Sequence, residues 1–348
     1  MVVSGGYLKE TGVETRQLGK NGPIVSAVGF GCMGLSHAYG APLERDEAIR
    51  LIRLAADTGY TLFDSAEVYG TVEQPHVNEE LAGEALKDHK NVVIVTKFGI
   101  RFDTSVRTVP LPLIPDSSPG RIRQSVEGSL KRLQRDCIDL YFQHRIDPQV
   151  PAEDVARVMS DLIREGKIRH WGISEADEAY LRRAHAVCPV TAVENRYSMM
   201  ARHYEALFST LEELGIGFVA FSPMANGFLS GAYGKDAVFD PKFDYRARMP
   251  QFTPEAVDAN QALLALLRDT AQAKGATSAQ ISMAWMLCKK PWIVPIPGTR
   301  NEGRIRENAG AADIRLSPAE VRALDDALST CAMSAVFGGT TIQGKAKS

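Results

Sequence analysis

Short apolar segments alternate with amphipathic helical patterns along this chain, and the alternation restricts the folds that it can adopt. Eight segments have the length and composition of buried β-strands, and helix-like stretches separate them. Parallel strands need such crossover helices, so the alternation predicts a parallel sheet. The predicted strands are SAVGFG (26–31), TLFDS (61–65), NVVIVTK (91–97), IDLYFQH (138–144), IRHWGIS (168–174), VTAVEN (190–195), IGFVAFSP (216–223) and PWIVPIP (291–297).

The eight strand–helix units predict an α/β fold, a (β/α)8 TIM barrel with an N-terminal hairpin and a C-terminal covering segment. A glycine-rich turn in TRQLGKNGPIVSA (15–27) predicts the hairpin. The connection at 225–254 shows no clear periodicity, which is typical of a functional loop or of disorder. We expect one domain over residues 1–348, with its core at about 15–328. Predicted helices cover 44–59, 78–86, 117–134, 150–166, 178–187, 203–215, 259–275, 278–290, 302–312 and 318–328.

Composition and charge argue against several classes of protein. Charged residues make up 24% of the chain and the formal net charge is −2, so we expect neither a nucleic acid nor a membrane surface as partner. No run of ~18 apolar residues predicts a membrane span. Five widely spread cysteines without a CxxC pair give no reason to expect a metal site or a disulfide framework. The first residues, MVVSGGYLKETG, lack the apolar stretch of a signal peptide, and we expect a reduced, cytoplasmic enzyme.

Four polar residues lie at or just past the ends of the second, third and fourth predicted strands. Asp64 lies in TLFDS, and Tyr69 follows in AEVYG. Lys97 ends NVVIVTK, and His144 ends IDLYFQH. The C-terminal ends of barrel strands converge on one site, where these four groups together can deliver a proton to a carbonyl oxygen. Each residue taken alone also fits a structural role: a cap, a packing aromatic, a solvated strand end and a rim histidine.

An ordered set of motifs resembles the aldo-keto reductase superfamily from about residue 15 to about residue 328. The motifs are FDSAEVYG, VTKFG, DLYFQHRID, GISEA, FSP and RIRENAGAA. GCMG near the start and IPGT after the eighth strand make the chain most similar to the bacterial branch. The resemblance implies a TIM barrel that interconverts small-molecule carbonyls and alcohols with NADP(H) and has no Rossmann domain. Accordingly, no GxGxxG follows a predicted strand.

The resemblance implies a role for each of the four polar residues. Tyr69 would give the proton, and Lys97 would stabilise the phenolate that forms. Asp64 would keep Lys97 charged and oriented, and His144 would hydrogen-bond the substrate oxygen. A free tyrosine has a pKa of about 10, so it donates its proton poorly at neutral pH unless a nearby cation stabilises the phenolate.

The resemblance also implies a cofactor site. Ser174 and Glu194 would hold the nicotinamide carboxamide, with Glu194 in place of the family's glutamine. A carboxylate cannot donate to the amide oxygen, so either Glu194 is protonated or Asn195 shares its task. Alternatively, Glu194 is a polar residue tied to the barrel rim. Phe221 would stack on the nicotinamide. Other residues expected at the cofactor are Gly31, Cys32 and Met33, and, around the pyrophosphate, Ser222, Met224, Asn226, Gly227 and Leu229.

The segment GTRNEGRIRENAG, after the eighth strand, is expected to hold the adenosine end. A helix begins there, and a helix N-terminus suits a phosphate. By resemblance, the 2′-phosphate would meet Gly298, Thr299, Arg300 and Arg304, and the adenine would meet Glu307 and Asn308. Many relatives carry a lysine where this chain has Gly298, so the preference for NADPH over NADH should be limited, with Arg300 compensating. Alternatively, the arginines form a solvated helix face.

A mostly apolar substrate pocket is expected among the loops that follow the strands. Its candidates are Met33, Tyr39, Phe98, Phe102 and Arg145, each of which could instead be packing at the rim. The loops at 101–118 and after the seventh strand should close the pocket.

Two other functions are compatible with the same residues. One is a cofactor-binding regulatory protein, as in the potassium-channel β subunits that share this fold. The chain lacks a long basic or apolar N-terminal extension that could act on a partner, which disfavours this interpretation. The other is an NADP-linked alcohol dehydrogenase, because the cofactor ratio decides the direction of the reaction.

Overall fold

The computed structural model describes residues 13–103, 105 and 112–338. Its strands are β1 (Thr15–Gln17), β2 (Ile24–Ser26), β3 (Phe30–Gly31), β4 (Leu62–Asp64), β5 (Val93–Phe98), β6 (Ile100–Phe102), β7 (Leu113–Pro115), β8 (Ile138–Gln143), β9 (Ile168–Ser174), β10 (Ala192–Arg196), β11 (Gly217–Phe221) and β12 (Ile293–Pro295). Its α-helices are α1 (Arg45–Asp57), α2 (Val77–Leu86), α3 (Pro119–Leu133), α4 (Ala152–Arg164), α5 (Glu178–Val187), α6 (Phe208–Leu214), α7 (Pro254–Ala259), α8 (Gln261–Lys274), α9 (Ser278–Lys289), α10 (Glu302–Ala309) and α11 (Pro318–Thr330).

Eight parallel strands form the predicted (β/α)8 barrel. They follow the order β3, β4, β5, β8, β9, β10, β11 and β12 around the sheet. The sheet closes on itself because the backbone NH groups of Gly29 and Gly31 donate to the carbonyl oxygens of Pro295 and Pro297, at 2.9 and 3.2 Å. The strand-like and helix-like alternation of the sequence therefore identified the architecture correctly.

The predicted N-terminal hairpin is formed by β1 and β2, which pair antiparallel. It lies against the N-terminal ends of barrel strands, where Lys20 donates its backbone NH to Gly215 at 2.7 Å. Leu18 and Val25 of the hairpin are fully buried and pack with barrel-interior residues such as Val219. The hairpin thus closes this end of the barrel, and the opposite end, at the C-termini of the strands, is left for a site.

Alternation along the strands separates two cores. In β5, Val95 packs in the barrel interior with the hairpin, whereas Ile94 and Phe98 pack in the larger core between the barrel and the helices. Successive side chains of a strand point to opposite faces, which accounts for this division. Lys97 therefore shares the interior face with Val95, and Phe98 does not.

Several elements differ from the sequence prediction. The first barrel strand is only Phe30–Gly31, since Ile24–Ser26 belongs to the hairpin. The predicted helix 203–215 begins as a 3-10 turn at His203–Leu207. Residues 225–254 are ordered into 3-10 turns and end in α7, and β6 and β7 form an unpredicted antiparallel hairpin. Part of the predicted loop 101–118 lies outside the described residues.

The two closing helices form the predicted covering segment. Asp325 of α11 accepts hydrogen bonds from Trp285 and Lys289 of α9, at 2.9 and 2.8 Å. Within the described part of the chain, no helix is both long and apolar enough to cross a membrane.

Gly172 of β9 tests how tightly the barrel interior is packed. A Cβ there would lie 2.3 Å from Cε1 of Phe142 and 2.5 Å from the carbonyl oxygen of Ala192. Overpacking of this kind costs ~1–3 kcal/mol. We therefore expect Gly172→Ala to lower the midpoint of thermal unfolding. Gly120→Ala is the control, because a Cβ at that position in α3 meets nothing within 4 Å and alanine is the better helix former. Equal midpoints for the two variants would show that the interior relaxes without cost.

Candidate active site

A cavity of about 360 Å3 opens at the C-terminal ends of the barrel strands. Most of the residues that the sequence assigned to a site meet there. The predicted residues that line it are Gly31, Met33, Tyr39, Asp64, Tyr69, His144, Arg145, Ser174, Glu194, Phe221, Ser222, Met224, Asn226, Gly227, Gly298, Thr299, Arg300, Arg304, Glu307 and Asn308.

An ion pair between Lys97 and Asp64 lies at the floor of this cavity. The ammonium of Lys97 donates to both oxygens of Asp64, at 2.7 and 2.6 Å, and to the carbonyl oxygen of Ser65, at 2.8 Å. Lys97 is fully buried, and its side chain does not reach the cavity wall. Burial lowers the pKa of Lys97, but the carboxylates of Asp64 and Glu194 outweigh it and raise the pKa above its usual value. Lys97 therefore remains a cation.

Tyr69 lies directly beside this cation. The ammonium of Lys97 is 5.0 Å from the centroid of the phenol ring. Burial raises the pKa of Tyr69, and Lys97 opposes that rise. Tyr69 thus holds its proton until a reaction develops negative charge that the ammonium can stabilise.

His144 completes the predicted group of four. Its ring meets the ring of Tyr69 edge-on, with centroids 5.6 Å apart. Its backbone NH donates to Phe98 at 2.8 Å, which fixes it directly after β8. Burial, followed by the positive charges of Arg145 and Lys97, lowers the pKa of His144 well below its usual value, so the imidazole is neutral. A neutral imidazole has one donor nitrogen and one acceptor nitrogen, and it can share a carbonyl oxygen with a phenol.

His37 is a further histidine of the site, and the sequence analysis did not identify it. Its ring stacks on the ring of Tyr69, with centroids 6.0 Å apart. Nδ1 contacts the carbonyl oxygen of Gly70 at 2.8 Å and must donate, because that oxygen only accepts. Nε2 is then the acceptor and faces the hydroxyl of Tyr245 at 3.4 Å. The position of His37 depends on tertiary contacts, and no motif in its neighbourhood signals it.

Ser174, at the end of β9, and Glu194, in β10, are neighbours whose Cα atoms are paired in register. The hydroxyl of Ser174 accepts from Arg145 at 3.2 Å. Arg145 and Arg196 both contact Glu175, at 3.4 and 3.1 Å, so two guanidinium groups share one carboxylate.

An aromatic ring lies beside this group of charges. Phe221 of β11 lines the cavity, and the guanidinium of Arg196 lies 5.4 Å from its ring centroid. Arg196 is another cavity residue that the sequence analysis missed. It lines the cavity because it lies two positions past Glu194 and so shares its strand face.

The turn after β11 has an unusual backbone. Ser222, Ala225, Asn226 and Gly227 all have positive φ, from 47° to 96°. Such turns aim successive backbone NH groups into a concavity that suits anions. The NH groups of Gly227 and Leu229 are not free, because both donate to the carbonyl oxygen of Met224, at 3.0 and 3.1 Å.

Arg300, expected at a phosphate, holds two loops together instead. Its guanidinium donates to the carbonyl oxygens of Gly34, Gly40 and Ala41, at 2.5, 3.4 and 2.7 Å. Although Arg300 lines the cavity, these bonds use most of its donors. By contrast, the exposed side chain of Arg304 makes no hydrogen bond or ion pair with another described residue.

Gly298 is a glycine because of a close backbone approach. A Cβ at this position would lie 2.8 Å from the carbonyl oxygen of Gly31. A larger side chain would require the ends of β3 and β12 to move apart. Nearby, Asn308 is buried and lines the cavity, and Glu307 accepts from the hydroxyl of Thr277 at 2.7 Å.

Five predicted site residues do not line the cavity, and the buried Lys97 described above is one of them. Cys32 and Phe98 point into the core outside the barrel, because they occupy the strand faces opposite Gly31 and Lys97. Leu229 is fully buried in the same core. Phe102 packs beside the apolar cluster around Tyr69 without reaching the cavity. These side chains therefore do not face the cavity.

The loop after β11 closes the cavity, as expected. Tyr233, Tyr245, Arg246 and Met249 of that loop line it. Arg246 pairs with both oxygens of Asp244, at 3.0 and 2.6 Å. Leu113 of β7 also lines the cavity, in agreement with the predicted loop 101–118, and Phe337 joins from the C-terminal segment.

The described residues contain no group of three histidine, cysteine or acidic side chains arranged to hold a metal ion. The cavity brings together a phenol, an imidazole and a buried ion pair beside a partly apolar space. Such a set can protonate a carbonyl oxygen and, in reverse, remove a proton from an alcohol.

Known proteins provide a direct comparison. The model of the aldo/keto reductase family matches residues 27–329. The probable aldo-keto reductase 1 of Glycine max is 38% identical over 319 residues, which cover 91% of this chain and 89% of that protein. A solved glycerol dehydrogenase from Gluconobacter oxydans has a TM-score of 0.81 at 26% identity, with 94% of this chain and 98% of that chain covered.

A second solved structure shares the fold. The aldo/keto reductase from Klebsiella pneumoniae, in complex with NADP and acetate, has a TM-score of 0.69 at 24% identity and covers 90% of this chain and 94% of its own. The match over most of the chain confirms the resemblance drawn from the motifs. The chain belongs to the aldo/keto reductase family.

Proposed function

We propose that this protein is an NADP-dependent oxidoreductase that reduces aldehydes or ketones to alcohols, with Tyr69 as the proton donor. The observation that carries the proposal is the buried Lys97–Asp64 pair beside the ring of Tyr69, at the floor of the cavity. Membership of the aldo/keto reductase family supports the reaction class. A panel of aldehydes and ketones, assayed by the loss of NADPH absorbance, tests it directly.

Two features of the cavity fit a nicotinamide cofactor: a buried polar atom without a hydrogen-bond partner in the described part of the chain, and positively charged side chains. Buried Oε2 of Glu194, which lines the cavity, has no hydrogen-bond partner among the described residues. Ser174, Glu194 and Phe221 would hold the nicotinamide, and the turn that contains Asn226 and Gly227 would hold the pyrophosphate. Thr299, Arg304 and Asn308 would hold the adenosine end. A bound nicotinamide supplies the hydride.

The residues around the carbonyl supply the proton and the charge. Tyr69 transfers its hydroxyl proton to the carbonyl oxygen as negative charge develops there. Lys97 lies 5.0 Å from the ring and stabilises the phenolate that remains. Asp64 holds Lys97 in place through both carboxylate oxygens, and neutral His144 orients the substrate oxygen. The same residues work in reverse when an alcohol is oxidised.

Tyr69→Phe tests the proton donor. Because a positioned acid contributes ~10²–10⁴-fold, we expect kcat to fall by at least that order, with little change in the Kd of NADPH measured by fluorescence titration. Tyr180→Phe is a matched control, since Tyr180 is buried and donates to Gln143 at 2.9 Å but lies outside the cavity. A Tyr69→Phe enzyme with near-parental kcat would show that the proton comes from another group.

Lys97→Met tests the cation. Without Lys97 the pKa of Tyr69 should rise further, so the pH–rate profile for alcohol oxidation should move to higher pH or the activity should disappear. The single variant leaves Asp64 buried without its partner, which is strongly destabilising. The double variant Lys97→Met/Asp64→Asn removes the pair together and should give the same shift. A profile that overlays the parent would mean that Lys97 has only a structural role.

Arg304→Ala tests the cofactor preference. Arg304 lines the cavity without another described partner, whereas Arg300 is engaged by three carbonyl oxygens. One charge-assisted pair with a phosphate contributes ~1.5–3 kcal/mol, so we expect NADPH to be favoured over NADH by about 10- to 150-fold in kcat/KM. Arg304→Ala should remove most of this preference by weakening NADPH alone.

The control for this prediction is Arg306→Ala, because Arg306 lies on the same helix but does not line the cavity. It should leave the preference unchanged. Equal parental activity with the two cofactors, or an Arg304→Ala variant that weakens both to the same extent, would contradict the assignment.

A further inference from the structure

Glu194 is a buried carboxyl group that the proposed proton transfer does not use. It is 2% exposed, lies in the middle of β10 and lines the cavity. Oε1 lies 3.3 Å from the ammonium of Lys97. Oε2 is buried without a hydrogen-bond partner among the described residues. A buried carboxylate oxygen without a partner is costly, so this atom has either a proton, a ligand or both.

The ammonium of Lys97 is held more closely by other groups than by Glu194, which lies 3.3 Å away. Its closer partners are the two oxygens of Asp64 and the carbonyl oxygen of Ser65, all within 2.8 Å. If Glu194 were also ionised, two negative charges would face one cation in a site shielded from water. Two carboxylates held against one ammonium repel each other, and this repulsion favours the protonation of one of them. Asp64 has the shorter and two-fold contact, so Glu194 is the group that takes the proton.

We propose that Glu194 holds a proton at neutral pH and binds the carboxamide of the nicotinamide as a carboxylic acid. It would donate one hydrogen bond to the amide oxygen and accept one from the amide NH2 group. A carboxylic acid has one donor and one acceptor side by side, which complement the acceptor and donor of a primary amide. The inference rests on the proposed function, which supplies the nicotinamide. Cofactor binding would then depend on the proton that Glu194 holds.

The groups that face Glu194 set the pH range of this effect. Asp64 and Lys97 face it from β4 and β5, Tyr69 from the loop after β4, and Arg145 from the end of β8. Burial, followed by the charge of Asp64, raises the pKa of Glu194 to about 8, and Lys97 and Arg145 oppose the rise. Glu194 is therefore neutral below about pH 8 and ionised above it. Tyr69 and Lys97 both have pKa values raised above their usual ranges, so they titrate at higher pH.

The sign of the effect follows from the hydrogen bonds. The ionised form can accept from the amide NH2 group but cannot donate to the amide oxygen. Cofactor binding should therefore favour the protonated form, and affinity should fall as the pH rises through the pKa of Glu194. The limiting slope is a tenfold loss of affinity for each pH unit, because one proton is linked to one binding event.

The test measures the Kd of NADPH and of NADH from pH 7 to pH 10 by fluorescence titration. NADH is included because it has no 2′-phosphate, and the titration of that group, near pH ~6, lies below the range in any case. We expect the affinity of the parent protein for both cofactors to fall by up to tenfold for each pH unit above about pH 8. Glu194→Gln replaces the acid with an amide that has the same donor and acceptor at every pH, so its affinity should be independent of pH.

A second measurement counts the protons directly and does not rely on the slope of a titration. Calorimetry at pH 9 in two buffers of different ionisation enthalpy counts the protons that binding takes up. The parent protein should take up close to one proton for each cofactor bound, and Glu194→Gln should take up none. Glu67→Gln is the matched control, because Glu67 is a buried carboxyl whose pKa burial raises to about 7 but which does not line the cavity. Glu67→Gln should retain the parental dependence of cofactor affinity on pH and the parental proton uptake.

The outcomes separate this inference from the proposed function. Cofactor binding that is independent of pH in the parent, or a parental slope that persists in Glu194→Gln, would overturn the inference and leave the reductase intact. If the dependence of cofactor affinity on pH disappears in Glu67→Gln, the proton belongs to Glu67, and the inference about Glu194 is overturned as well. If neither cofactor binds the parent at any pH, the proposed function itself fails and the inference fails with it.

Discussion

The buried ion pair between Lys97 and Asp64 is the interaction on which the candidate site depends. An unpaired ammonium in the barrel interior would cost several kcal/mol, and the pair offsets this cost only through good geometry. The geometry here is good, since Lys97 contacts both oxygens of Asp64 and a backbone carbonyl oxygen within 2.8 Å. Adjacent parallel strands provide it, because Asp64 ends β4 and Lys97 lies near the end of β5. The position of Tyr69 above this cation then follows from the short loop after β4.

The rest of the barrel keeps this polar group at one end. Apolar side chains fill the interior below it, and the N-terminal hairpin adds Leu18 and Val25 to that filling. Gly172 leaves room for the ring of Phe142 in the same layer. Water is therefore excluded from below, and the charges of the site interact with each other and with a ligand more strongly than they would in water. The same close packing that excludes water also buries the titratable groups of the site, and this burial shifts their pKa values from the usual ranges.

The sequence allowed the site to be predicted wherever a residue's position follows from its strand. Asp64, Lys97 and His144 lie at strand ends, and parallel strands bring their C-terminal ends together. Cys32 and Phe98 pack away from the cavity, as the alternation of side chains would have indicated, since each is adjacent to a residue that faces the barrel interior. Arg196 lies two positions past Glu194 on the same strand face, so alternation could have identified it. The role of His37, by contrast, depends on which loops meet in three dimensions. No periodicity or local motif encodes such contacts.

Arg300 shows that a motif can place a residue at the cavity without revealing what its side chain binds. Its place after the eighth strand suggests a phosphate ligand, and the side chain does line the cavity. However, its guanidinium donates to three carbonyl oxygens of the loop after β3. The same loop also accepts a hydrogen bond from the backbone NH of Tyr245, which donates to the carbonyl oxygen of Ala38 at 2.9 Å. The guanidinium thus joins the end of β12 to the loop after β3, while the long loop after β11 crosses over both. Because carbonyl oxygens already satisfy most of its donors, the positive charge available to a ligand at this end of the cavity comes mainly from Arg304.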